Sequence, residues 1–128
     1  MPPTEDAEQR TLISWCRWME GQYPDLEMIL HIPNGEYRTP TTGKRLKAQG
    51  VKAGVPDLFL AIPTKHYSGL WIELKSQNGR IRPEQQEWIS RLRIKGYAAY
   101  VCYGWQAAAK TICEYLSIPD PFATRNPL

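Results

Sequence analysis

Apolar residues recur at helical spacing near the start of the chain. Leu12, Cys16 and Met19 form one stripe, and Ile13, Trp15 and Trp18 widen it. Thr4 precedes the stripe as a cap, with Glu5 and Asp6 in the first turn, where the helix dipole favours acids. Gly21 and Pro24 end this predicted helix. "EMILHI" then reads as a short strand closed by Pro33, Asn34 and Gly35. The polar, basic, glycine-punctuated run "EYRTPTTGKRLKAQGVKAG" is long for a connection in a compact domain, and such loops commonly carry function. Within it a short helix is predicted over Lys44 to Gln49, stopped by Gly50.

"DLFLAI" and "LWIELK" follow as two strands joined through "PTKHYSG". Pro83 can occupy the first turn of a helix over "EQQEWISRLRIK", with Gly96 as its stop. "YAAYVCY" is a further strand and "WQAAAKTICEYL" a final helix. The order α-β-β-β-α-β-α predicts an α/β domain, a mixed central sheet flanked by helices. At 128 residues the chain is expected to form one domain over residues 1–117, with a loosely packed proline-rich tail over 118–128.

Composition narrows the class. The hydrophobic fraction of 42% and the charged fraction of 23% are those of an ordinary globular protein. No apolar run approaches the roughly 20 residues needed to span a bilayer, and "MPPTEDAEQR" is unlike a signal peptide. Cys16, Cys102 and Cys113 are odd in number and lack CxxC spacing, so they read as thiols in a reducing cytoplasm. Two histidines, His31 and His66, are too few for a histidine-rich metal centre. The net charge of +3 says little, but its distribution says more. Arg38, Lys44, Arg45, Lys47 and Lys52 follow one another with no acid between them, which suits a polyanionic partner; the plain alternative is a solvated face.

Asp57 and Glu73 carry the candidate chemistry. Side chains alternate along a strand, so Trp71, Glu73 and Lys75 share one face. Asp57 opens the preceding strand directly after Pro56. If the two strands pair as a hairpin, Asp57 lies level with Glu73 and Lys75. Two converging carboxylates without histidine or thiolate make a hard, oxygen-rich site suited to Mg²⁺ or Mn²⁺. Lys75 beside such an ion could orient or deprotonate a water and offset charge on a phosphoryl transition state, which points to a phosphodiester substrate. An E-x-K triplet alone is weak, because exposed strands often pair Glu with Lys two residues on; the P-D opening of the neighbouring strand strengthens it.

"GVPDLFL" followed by "GLWIELK" resembles the PD-(D/E)-x-K nuclease superfamily. The longer pattern "LKAQGVKAGVPDLFL … GLWIELKSQNGRIRPEQQEWISRLRIKGYAAYVCYGWQAA" closely resembles the VRR-NUC family. That resemblance implies a restriction-endonuclease-like core, a divalent metal and DNA cleavage. For a stand-alone viral or bacterial member it also implies a homodimer acting on branched DNA, as a Holliday-junction resolvase does, in the cytoplasm of a bacterial or phage-infected cell. By the same resemblance Asp57 and Glu73 match the metal-binding acids, the Leu74 carbonyl a backbone ligand and Lys75 the catalytic lysine. Gln85 matches the family's glutamine on the following helix, with Gln86 its neighbour, placed to hold the lysine, a water or the phosphate. The first-helix glutamate falls on Glu5, one turn before Gln9, with Glu8 left open.

Other residues admit plainer readings. The five tryptophans read as core or dimer contacts sooner than as base-stacking platforms. His31 reads as structural, because the second histidine of a His-Asn nuclease is absent. Asn34 and Arg38 could contact phosphates from the long loop. A flap- or restriction-type nuclease, and a DNA-binding module without catalysis, remain as alternatives; the intact Asp57, Glu73 and Lys75 set argues against the latter.

Overall fold

The structure, a computed structural model, describes residues 2–33 and 39–122. Asn34 and Arg38 lie outside the described residues. Helix α1 spans Glu5–Met19, and the Thr4 hydroxyl caps it by accepting from the Ala7 N–H at 3.1 Å. Leu12 and Cys16 are fully buried, whereas Trp18 is 82% exposed. The sequence stripe was drawn too wide there: at 3.6 residues per turn Trp18 stands ~200° round the helix from Cys16.

The segment expected as one strand divides in two. Pro24–Met28 forms a 3-10 turn that buries Leu26, and only Ile29–His31 is strand β1. Pro24 therefore opens an element as well as closing one, its fixed φ suiting a first turn. Helix α2 spans Pro40–Ala48 and so starts before the predicted Lys44. The Thr39 hydroxyl accepts from the Thr42 N–H at 3.1 Å, and Pro40 takes the first turn, a start signal that the basic run had obscured. None of the residues of α2 is buried.

Strands β2 (Leu58–Leu60), β3 (Leu70–Lys75) and β4 (Ala98–Tyr103) complete a four-stranded sheet in the order β1-β2-β3-β4. The β1–β2 and β2–β3 pairs are antiparallel and β3–β4 is parallel, so the sheet is mixed. Helix α3 (Pro83–Ile94) makes the crossover and α4 (Trp105–Leu116) follows β4. One sheet face supplies Leu58, Leu60, Leu70, Ile72 and Leu74 to the core, where they meet Leu12 and Cys16 of α1 and Ala108, Ala109 and Ile112 of α4. On the other face the Phe59 and Trp71 rings pack at 4.4 Å, with Tyr97 edge-on to both.

The three cysteines are free and buried. Burial pushes the Cys16 thiol up to about 12 and the Cys113 thiol up to about 11, so both stay protonated. Among the described residues, no helix is long and apolar enough to cross a membrane. At the start of the tail Phe122, 40% exposed, stands edge-on to Trp105 at 5.4 Å.

Candidate active site

Asp57 reaches its place through backbone that few other sequences could supply. Gly54 has φ +87, and a Cβ there would lie 2.8 Å from the Glu84 carbonyl oxygen in the first turn of α3. Only glycine combines that conformation with that approach. Pro56 follows, and the Asp57 carbonyl then accepts the Ile32 N–H at 2.7 Å, extending the β1–β2 pairing by one step. Leu58 stands opposite Ile72, which sets Asp57 opposite Glu73. The expectation that these acids lie level is met by the register.

The two carboxylates interlock across the hairpin. The Asp57 N–H donates to Glu73 Oε2 at 3.2 Å, and the Leu74 N–H donates to Asp57 Oδ2 at 2.9 Å. Leu74 thus enters the site through its main chain. Lys75 Nζ lies 3.6 Å from Glu73 Oε1 and 3.7 Å from Glu5 Oε1. Asp57, Glu73 and Lys75 are 8%, 1% and 4% exposed, which removes the surface-decoration alternative. Such burial of charge is costly unless the groups serve one another or an ion.

Gln85 joins from the other side. It occupies the third position of α3, where its Oε1 accepts the Arg82 N–H at 2.8 Å and its Nε2 donates to Glu73 Oε1 at 2.6 Å. The structure places it on the glutamate; the lysine contact that the sequence left open is not the one made. Its neighbour Gln86 is exposed.

Glu5 and Glu8 part company. Glu5 is half-exposed and faces Lys75. Glu8 is buried, and its carboxylate accepts the N–H of Trp105 at the start of α4, where the helix dipole favours an acid. Glu8 therefore belongs to helix packing, and Glu5 is the α1 carboxylate that reaches the cluster.

Electrostatics follow from the crowding. Burial, and next the Asp57 carboxylate, push Glu73 from the ordinary 4.5 up to about 8. Burial also raises Asp57, against the opposing pull of the Leu74 N–H and Lys75. Crowding of two like charges in a buried site thus favours the protonated form of the pair. One ammonium faces the carboxylates of Glu5 and Glu73, with Asp57 beside them, so the cluster is short of positive charge. Among the described residues, no group of three His, Cys, Asp or Glu converges as an ion cage. The candidate side-chain ligands are two carboxylates without histidine or thiolate, an oxygen chemistry that fits a hard divalent ion keeping several waters.

Lys44, Arg45 and Lys47 are exposed on α2, and Lys52 is exposed just after it. None of them is part of the hydrogen-bonded cluster. A cleft of about 630 Å³ beside α2 is lined by Lys44, Lys47, Val51 and Lys52. His31, expected to be structural, stands exposed at the end of β1. Its Nδ1 lies 3.2 Å from the Asp57 carbonyl oxygen and 3.1 Å from Gln9 Nε2. Gln9 lies one turn after Glu5 and so shares its helix face.

Comparison with known proteins gives a consistent result. A solved structure described as a VRR_NUC domain protein superposes with a TM-score of 0.78 at 32% identity, covering 94% of this chain and 93% of that one. No significant match is found among curated proteins. The model of the VRR-NUC domain family matches residues 4–106, from the α1 cap through the whole sheet and all the clustered residues into α4. The chain belongs to the VRR-NUC family, whose function is of the nuclease type.

Proposed function

We propose that this protein is a metal-dependent DNA endonuclease, hydrolysing phosphodiester bonds in branched DNA as a homodimer. The observation that carries the chemistry is the buried, interlocked Asp57–Glu73 pair with the Lys75 ammonium 3.6 Å from Glu73. Asp57, Glu73 and the Leu74 carbonyl would hold Mg²⁺ or Mn²⁺. A bound divalent ion supplies charge to polarise the phosphoryl oxygen and to acidify a bound water. Gln85 orients Glu73, and Glu5 restrains Lys75 from the α1 side. Lys75 then donates hydrogen bonds to the attacking water or to a phosphate oxygen and stabilises the negative charge that develops there. The exposed cations of α2 and Lys52 suit neighbouring phosphates.

The branched-DNA and dimer parts rest on family resemblance and on symmetry: resolving a junction takes two nicks, and a two-fold dimer presents two equivalent sites. Trp18 at 82% and Ile94 at 81% exposure are apolar surface that a second copy could cover. The deciding experiment incubates the protein with Mg²⁺ or Mn²⁺ and linear, flap and four-way-junction DNAs, beside Asp57→Ala and Lys75→Met. Junction cleavage by the wild type alone, at a solution mass about twice 14.7 kDa, is expected. Cleavage that survives Asp57→Ala overturns the site. A monomer cutting flaps or linear duplex in preference overturns the substrate.

A further inference from the structure

We propose that His31 is a positioning residue of this site, acting on Asp57 through the main chain and itself held by Gln9. The inference rests on the reading that Asp57 is a metal ligand. Register sets His31 opposite Leu58, so its side chain lies on the α1 side of the sheet at the exposed end of β1, while Asp57 directs its carboxylate towards Glu73 on the other side. His31 is thus no further side-chain ligand. Its contact is with the Asp57 carbonyl oxygen, 3.2 Å from Nδ1.

That carbonyl already accepts the Ile32 N–H at 2.7 Å, and a carbonyl oxygen has lone pairs for two donors. The Asp57 N–H is taken by Glu73 and its Oδ2 by the Leu74 N–H. The imidazole is therefore one of the groups that fix the backbone from which the carboxylate projects. Gln9 supplies the second support. In the tautomer with an N–H on Nδ1 the imidazole donates to Asp57, and turning the Gln9 amide end for end, the reverse of the placement that sets Nε2 3.1 Å from Nδ1, would let its oxygen accept from the same N–H. Glu5 and Gln9 lie one turn apart, so a single face of α1 touches Lys75 at one end of the cluster and His31 at the other.

Substitution by amides separates the two ring nitrogens. Asparagine places its NH₂ near the position of Nδ1, whereas glutamine extends it towards Nε2. The measurement is Mn²⁺ affinity by calorimetry, with melting temperature and the KM for DNA beside it. His31→Ala is expected to weaken Mn²⁺ binding about fivefold, the scale of one hydrogen bond. His31→Asn should recover most of that loss and His31→Gln little of it, with Gln9→Ala falling between wild type and His31→Ala. Unchanged Mn²⁺ affinity in His31→Ala overturns the inference. So does a loss confined to KM for DNA, or equal recovery by Gln, either of which would make His31 a substrate contact through Nε2. Asp57→Ala is the reference. Binding that it abolishes but His31→Ala leaves intact removes this inference alone, and absence of Mn²⁺ binding by the wild type removes the metal reading and the inference with it.

Discussion

Gln85 and Glu73 meet across 2.6 Å, the amide of the first α3 turn donating to a carboxylate oxygen of β3. The same amide accepts the Arg82 N–H, so one side chain both starts a helix and holds a site acid. Gln85→Ala should cost about 1–3 kcal/mol, because it leaves a buried carboxylate oxygen and a helix N–H without this partner. Gln85→Glu keeps the cap but sets a second carboxylate against Glu73. Cleavage should fall further in Gln85→Glu than in Gln85→Ala, and rate assays beside chemical denaturation measure both effects. Equal activity in wild type and Gln85→Glu would mean that the amide does not orient Glu73.

The raised Glu73 carboxyl makes the metal-free fold sensitive to pH. Its folded value of about 8 lies above the ordinary 4.5, so in that window the folded chain keeps a proton that the unfolded chain has released. Stability must then fall as pH rises from 4.5 to about 8 and level off above. In chelator-treated protein the melting temperature should decline across that range. Glu73→Gln should flatten the decline and melt higher than wild type at alkaline pH. A wild-type melting temperature that rises between these limits would show that the pair is not protonated in the fold.

Glu5 and Glu8 should separate rate from stability. Glu5→Gln alters the Lys75 surroundings from a half-exposed position, and it should lower the cleavage rate with little change in melting temperature. Glu8→Ala strips the acceptor from the Trp105 N–H and should cost about 1–3 kcal/mol. If Glu8→Ala instead left stability intact and lost only rate, the assignment of the two acids would be reversed.

The cations of α2 lie on a helix that buries none of its residues, so their removal should spare the fold. Replacing Lys44, Arg45 and Lys47 by Ala should lower the salt dependence of DNA binding by up to ~3 units of slope, if each neutralises a phosphate. Binding titrations over a range of salt concentrations measure the slope. An unchanged slope would make these residues an ordinary solvated face.

Much of this protein is written locally. Thr4, Pro83 and the Leu12–Cys16 spacing mark helices by cap chemistry and period, and the alternation in "LWIELK" puts Glu73 and Lys75 on one face before any fold is known. A hairpin then aligns Asp57 with Glu73, because antiparallel pairing leaves few registers that keep Leu58, Ile72 and Leu74 inside. What the chain alone left undecided were relations between segments distant in sequence. Glu5 and Glu8 sit within one turn of the same helix, and only packing against α4 turns Glu8 to the Trp105 N–H and leaves Glu5 to Lys75. Gln85 is matched to the site by resemblance, but its partner there, Glu73, is set only when α3 lies over the sheet. His31 gains a partner only when β1 and α1 converge on the Asp57 carbonyl. Periodicity is a property of neighbours along the chain, and it sets faces and caps. Which donor meets which carboxylate depends on distances of a few tenths of an ångström between elements, and those are settled by the packing of the whole domain.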